Sequence, residues 1–473
     1  MPQHQPARAN RLSVCMIVRN EEAVLARCLA SVKPAADEIV VVDTGSTDRT
    51  AAIAREHGAM VVHTEWKNDF SDARNISIKH ATGDWILWLD ADDVVPAESI
   101  EALRRLTRES PDRVFAFVVR NERPGGTGSA FVQARMFPRR DDVFFERRIH
   151  EQITLSALRA GLLLEQQAVV IEHHGYGDAE AVRKKAERNI TMLLDEYDRD
   201  DPDPVMAIEI ADAYRIYGKP GEARAWYQNV LDLGSIEIIM PSIASQAHLG
   251  LGTGDTEAGD YAAAERHFRA ALALEPDRTD VLYGLAVALD LAGRDAEAID
   301  VLGEILDMKE KPLDVSVDFR EARIKTYMRL ERLLRENGRG AETPALSQRG
   351  LAELPQRPEI HALAGRSFLL SGKLIEALRA FEESIRITGP GNIEAYIGLC
   401  MAYIRADRAE TAAQTMVSVK PLFENHPRYW AFVRGFLSEA GIGQSPANVD
   451  EKEIEEQAKY LRVIYALPAA GAR

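Results

Sequence analysis

Asp84-Trp-Ile-Leu-Trp-Leu-Asp-Ala-Asp-Asp93 constrains the fold more than any other stretch of the chain. Trp85 to Leu89 is an unbroken apolar run, short enough for a strand buried on both faces, and it runs straight into carboxylates at Asp90, Asp92 and Asp93. A buried strand that ends in acids delivers them to one edge of a sheet. In open α/β sheets ligands bind outside the carboxyl ends of the strands, and Asp-x-Asp puts two hard oxygen donors within reach of a divalent cation holding a diphosphate. The plainer reading is an acidic cluster that solvates a turn or caps the next helix, and the run alone leaves both open.

The same punctuation recurs upstream. Leu12 to Val18 reads as a strand ending at Arg19-Asn20-Glu21-Glu22, and Ala23 to Val32 has helical spacing. Glu38 to Asp43 is a second two-sided apolar strand ending in an acid, and Thr44-Gly45-Ser46-Thr47-Asp48 offers hydroxyls to cap a helix through about His57. Ala59 to Val62 predicts a third strand, and the next helix opens around Ser71 as its cap and stops at Gly83. Strands alternating with helices over short turns predict a parallel sheet built from βαβ units. Its edge would collect Asn20, Glu21, Asp43, Asp90 and Asp92. No glycine-rich phosphate loop accompanies these strands, so a dinucleotide fingerprint or P-loop is not supported and a bound phosphate needs a metal.

Bulk properties exclude several classes. The formal charge of −16 argues against a general nucleic-acid binder. No run of about 18 apolar residues predicts a membrane span, and the polar, proline-bearing start through Arg11 carries no apolar signal core, which predicts a cytoplasmic protein. Cys15, Cys28 and Cys400 have neither paired nor metal-ligand spacing, so buried thiols are expected rather than a disulfide or zinc site.

Four stretches in order, Met16–Glu22 (Met-Ile-Val-Arg-Asn-Glu-Glu), Val41–Asp48 (Val-Val-Asp-Thr-Gly-Ser-Thr-Asp), Asp72–Asn75 (Asp-Ala-Arg-Asn) and Gly83–Asp92, resemble the family 2 glycosyltransferases with their nucleotide-sugar-binding GT-A fold. Later landmarks extend the resemblance to about residue 176: Arg135 in an Arg-x-Phe, His150-Glu151, and His173-His174-Gly175-Tyr176, as in family 2 enzymes fused to helical repeats. The resemblance implies that Asn20, Glu21 and Asp43 serve the nucleoside side, that Arg74 and Arg135 lie near the nucleotide sugar, and that Asp90 and Asp92 hold Mn²⁺ or Mg²⁺. His173, or His174 instead, would complete the metal shell. Inverting transfer needs a base. Glu151 is the candidate and His150 the runner-up, because the usual Glu-Asp pair of the wider family is absent. Pro124 to Gly128 reads as a loop or hairpin tip.

From Ala181 onward helical periodicity takes over, with small and aromatic residues recurring near every 34 positions: Ala211, Tyr214, Ala223, Tyr227; Gly252, Ala264, Phe268; Ala286, Ala298, Leu302; Gly365, Ala377, Phe381. This resembles the tetratricopeptide repeat, where small residues let paired helices approach and aromatics fill the gap to the next pair. Five or six repeats are expected, with irregular units ending near Leu354 and spanning Glu394 to Val419. The expected plan is a disordered 1–10, an α/β GT-A domain over 11–180, a linking helix over 181–204, an all-α repeat solenoid over 205–440, and a capping helix and tail over 441–473.

The implied function is metal-dependent, inverting transfer of a sugar from a nucleotide donor, uridine-linked by preference, to a peptide or protein acceptor. Some repeat-fused family 2 enzymes glycosylate peptides. The repeat groove would seat a protein partner or a second copy of the chain. The rivals are transfer to a saccharide or lipid-linked glycan, a repeat adaptor with a silent GT-A domain, and a nucleotidyltransferase. The intact acids disfavour the silent domain, and the acidic, glycine-free Arg19–Glu22 disfavours the nucleotidyltransferase.

Overall fold

The computed structural model describes residues 10–121, 130–174, 179–308, 319–437, 445 and 449–465. The expected disordered start, the Pro124–Gly128 tip, the Gly175-Tyr176 end of the last motif and the C-terminal tail lie outside these residues. Strands and helices alternate at first: β1 (Leu12–Val18), α1 (Leu25–Val32), β2 (Glu38–Asp43), α2 (Thr50–Glu56), β3 (Met60–His63), α3 (Phe70–His80) and β4 (Trp85–Trp88). Then come β5 (Asp93–Val94), α4 (Ala97–Leu106), β6 (Arg113–Asn121), β7 (Ala130–Pro138), α5 (Thr154–Arg159) and β8 (Leu163–His173).

All eight strands form one sheet in the order β3-β2-β1-β4-β7-β6-β8-β5. The block β3-β2-β1-β4 is parallel, whereas β7 joins β4 and β6 antiparallel. The chain between Asn121 and Ala130 is too short for the crossover that a parallel β6–β7 pair would need. The sheet is therefore mixed, as a mostly parallel GT-A sheet is. β4 sits near its centre with Trp85 to Leu89 all buried, and its two faces feed two cores. Trp85 and Leu87 pack with Val14, Met16, Leu25, Leu29 and Leu103, while Ile86 and Trp88 pack with Cys15, Phe137, Phe145 and Ile153. Each large apolar side chain buried this way contributes roughly 1.5–3 kcal/mol.

Three expectations about punctuation change. Asp69, in an extended conformation, caps α3 by accepting from the Asp72 N–H at 2.8 Å, while the Ser71 hydroxyl donates instead to the Arg147 carbonyl. Ser71 already has helical company on both sides, and an N-cap must lie outside the helix. At α2 it is Asp48, not Ser46 or Thr47, that accepts from the Thr50 N–H at 2.9 Å. Gly83 does not stop α3, which ends at His80; a Cβ there would lie 2.8 Å from the Ser13 nitrogen and 2.9 Å from the Arg11 oxygen, so glycine lets β4 enter beside β1.

Helices follow the sheet. α6 (Ala179–Glu196) is followed by Pro204–Tyr217 and Pro220–Asp232, the first capped by Asp203 within the acidic break Asp200–Pro204 and ended by Gly218 at φ 86°. Ile190 and Leu193 of α6 share a core with Ile149 of the sheet domain and with Met206 and Ile210. One compact unit runs through Ala292 and thus takes in the sheet, α6 and the first repeat helices, and a second holds Gly293–Asp307 and the chain from Ala322 onward. Among the described residues the last helix of the second unit is Glu451–Ile464, whose Ile454 and Leu461 pack with Tyr429 and Trp430. Among the described residues no helix is long and apolar enough to cross a membrane.

Within each unit the small-residue rule is visible. Cβ atoms at Gly252 and Gly284 would come to 2.9 and 2.7 Å from the Phe268 ring in the first unit, and at Gly365 and Gly398 to 2.8 and 2.2 Å from the Phe381 ring in the second. Gly398→Ala should therefore destabilise the protein by about 1–3 kcal/mol through overpacking, although alanine is the better helix former. Calorimetric unfolding checks this, and an unchanged or raised midpoint would mean that Phe381 yields freely.

Candidate functional site

The acids of the opening motif are gathered by sheet register. Asp90 leaves β4, and Asp93 opens β5, which pairs with the end of β8 so that Asp93 lies opposite His173. His173 Nδ1 is 2.9 Å from Asp93 Oδ1 and 3.4 Å from Asp92 Oδ1. Asp93 is fully buried, and its other oxygen accepts from the Asp90 N–H at 2.8 Å and from Arg135 at 3.0 Å. Asp90, Asp93 and His173 offer ligand atoms within 4.8 Å of one another, and the partly exposed Asp92 stands beside them. Burial, then Asp92 and Asp90, push the Glu21 carboxyl up to about 7. Burial also raises Asp92 against the pull of His173, and the three aspartates raise His173 although burial opposes them. So much half-desolvated negative charge is a setting that fits a bound cation.

Arg74, from α3, reaches into this group and is almost completely buried. Its Nε donates to Glu151 at 2.6 Å and one terminal nitrogen donates to Asp90 at 2.8 Å, while its other terminal nitrogen is buried without a hydrogen-bond partner among the described residues. Burial opposes the Asp90 charge, but Arg74 and Arg135 outweigh it and hold that carboxyl well below the usual range. Both guanidiniums lie over the Trp88 ring, at 4.1 and 3.7 Å. Arg135 is thus buried behind the site, holding Asp93, rather than facing the cleft.

His150 and Glu151 sit on a loop closed by reciprocal backbone bonds of 3.0 Å between Glu146 and Gln152. Arg147 and His150 adopt φ of 74° and 52° there, strained values for side chains other than glycine. The loop is gripped from several elements: Phe70 N–H donates to the Arg148 carbonyl at 2.8 Å, Arg148 N–H to Glu196 of α6 at 3.2 Å, and Arg147 makes a two-pronged pair with Glu209. Asn20 and Asp43 brace the turn after β2. Asn20 accepts from the Thr47 N–H at 2.8 Å, and Asp43, 2% exposed, accepts from the Ser46 N–H at 2.9 Å and lies 3.0 Å from His63.

An open cleft of about 1370 Å³ runs along these strand ends. Glu21, Arg74, Asp90, Asp92, His150, Glu151 and His173 line it; Asn20, Asp43 and Arg135 do not. Missed by the sequence reading were Asp93 as a partner in the cluster and the cleft-facing Lys184, Lys185 and Arg188 of α6. The Asp-Asp doublet was a usable signal for Asp93.

The model of the family described as glycosyl transferase family 2 matches residues 13–163, and that of the tetratricopeptide repeat matches 256–313 and 368–434. A TPR repeat-containing protein of Synechococcus elongatus is 35% identical over 293 residues, which cover 60% of this chain and 70% of that one. The SPbeta prophage-derived glycosyltransferase SunS of Bacillus subtilis is 32% identical over 184 residues, covering 37% and 43%. An uncharacterized glycosyltransferase of Rickettsia felis is 33% identical over 111 residues, covering 23% and 39%. The chain thus spans less than half the length of these two relatives. Strand-end acids, mixed sheet and helical pairs agree with these matches, and the chain belongs to the family 2 glycosyltransferases that carry tetratricopeptide repeats.

Proposed function

We propose that the protein transfers a sugar, with inversion, from a uridine diphosphate donor to a polypeptide, with Mn²⁺ or Mg²⁺ held by Asp90, Asp92 and His173 and backed by Asp93. The observation that carries this reading is the convergence of those groups on one cleft beside Arg74. A divalent cation there supplies stabilisation of the charge that grows on the departing diphosphate.

The chain's own residues do the rest. Arg74 offers a buried N–H donor with no partner among the described residues, which a diphosphate oxygen would satisfy. Glu21, Asn20 and Asp43 shape the nucleoside side, the last two by holding the turn after β2. Glu151 takes the acceptor's proton, oriented by its bond from Arg74. His150 is the second candidate for that role. The repeats seat a protein partner or a second copy of the chain. Three buried free cysteines and a nucleotide-sugar donor suit a cytoplasmic setting.

Thermal stability with UDP, GDP and dTDP, each with and without Mn²⁺, tests the donor site. A ligand at a hundred times its dissociation constant adds about 2.7 kcal/mol to the folded state. One nucleotide should stabilise the parent only with Mn²⁺ and should fail to do so in Asp92→Ala. A shift that survives Asp92→Ala removes Asp92 from the metal set, and no shift with any nucleotide sinks the donor reading.

A further inference from the structure

The strand-end acids form only part of the cleft. Lys184, Lys185 and Arg188 of α6 also line it, although α6 lies beyond the stretch matched by the glycosyltransferase family. Packing of Ile190 and Leu193 against Ile149 and Met206 fixes α6 to the His150–Glu151 loop. Lys185 and Arg188 form no ion pair among the described residues, whereas Lys184 lies 3.5 Å from Glu180 along the helix surface. Beside them on the cleft wall are Trp66 and Phe70, edge to face at 4.8 Å, with the Arg188 guanidinium 5.1 Å over the Phe70 ring.

The charges are ordered along the cleft. Arg74 bridges Asp90 and Glu151, and the loop that carries Glu151 lies on α6 through Ile149 and through the Arg148 N–H bond to Glu196. Glu151 therefore stands between the metal-binding acids and the basic residues of α6. In a transfer reaction the donor diphosphate lies with the cation and the base touches the acceptor. The surface beyond the base faces the acceptor.

We propose that Lys185 and Arg188, with Trp66 and Phe70, form an acceptor subsite for an acidic polypeptide segment, its carboxylates against the two cations and an apolar side chain against the two rings. Arg188 already covers the Phe70 face, which leaves an apolar corner rather than a flat platform for stacking a sugar ring, and this favours a peptide over an anionic glycan. The assignment rests on the donor placement proposed above.

Fluorescence anisotropy on the full chain tests it with three labelled probes: a short Glu- and Leu-rich peptide, the same peptide with Gln for Glu, and an oligogalacturonate. The acidic peptide should bind about tenfold more tightly than its amide counterpart at low salt, and Lys185→Glu with Arg188→Glu should abolish that preference. Both residues are exposed, so the double variant should fold, and it should keep the thermal shift with UDP and Mn²⁺. Equal binding of the two peptides overturns the proposal, as does tighter binding of the oligogalacturonate. So does a variant that loses the UDP–Mn²⁺ shift but keeps the peptide preference, because the two cations would then serve the donor. A parent that selects the acidic peptide yet shows no nucleotide shift would mark the failure of the donor reading, and the basic wall would be a general anion site rather than an acceptor subsite.

Discussion

Glu151→Gln should lower sugar transfer by about 10²–10⁴-fold, the usual contribution of a positioned general base, while UDP and Mn²⁺ bind as before. Gln keeps the shape of the side chain and an oxygen that can accept from Arg74 Nε, so the loop between Glu146 and Gln152 should hold its geometry. What is lost is the basicity of the carboxylate, since a neutral amide cannot take the acceptor's proton. Labelled-sugar incorporation, measured beside the nucleotide thermal shift, separates the two effects. If transfer survives in Glu151→Gln but collapses in His150→Asn, the base is His150, which shares the same loop and the same cleft. If donor binding falls together with transfer, Glu151 acts through Arg74 and Asp90 rather than on the acceptor.

Arg135→Met should destabilise the protein by roughly 3–5 kcal/mol, the range for removing one partner of a buried ion pair. Asp93 is fully buried, and Arg135, 2% exposed, is the arginine that neutralises it at 3.0 Å. Methionine fills much of the volume over Trp88 but leaves the carboxylate without its cation. Adding Asp93→Asn to Arg135→Met should recover part of the loss, since an amide carries no charge to strand. Chemical denaturation of the parent, the single variant and the pair measures this. Equal midpoints for parent and Arg135→Met would show that His173 and the Asp90 N–H suffice to hold Asp93.

Much of the sheet was legible because its strands are apolar runs with charged ends. β1 and β2 occupy the residues the pattern marks, Leu12–Val18 and Glu38–Asp43, and β4 lies inside the Trp85–Leu89 run. The repeats were legible through glycines facing Phe268 and Phe381, since close approach leaves room for no side chain. Other features depend on long-range register that local pattern does not carry. Asp93 joins His173 only because β5 pairs with β8, eighty positions along the chain. Arg135 is hidden rather than cleft-facing because alternation along β7 turns it toward Trp88 and Asp93. Lys185 and Arg188 look, in sequence, like the solvated face of an amphipathic helix. Their place on the cleft follows from the packing of α6 against Ile149.

The most direct measurement is a Mn²⁺ titration followed by the paramagnetic resonance of the free ion, with and without UDP. If the cation links Asp90, Asp92 and His173 to a diphosphate, UDP must tighten Mn²⁺ binding and Mn²⁺ must tighten UDP binding by the same factor, because coupling between two ligands is reciprocal. A shared metal–diphosphate site requires a factor of at least about fivefold, the low end of measured couplings, and requires that it vanish in Asp92→Ala. Mn²⁺ binding that is indifferent to UDP, or coupling that persists in Asp92→Ala, would contradict it.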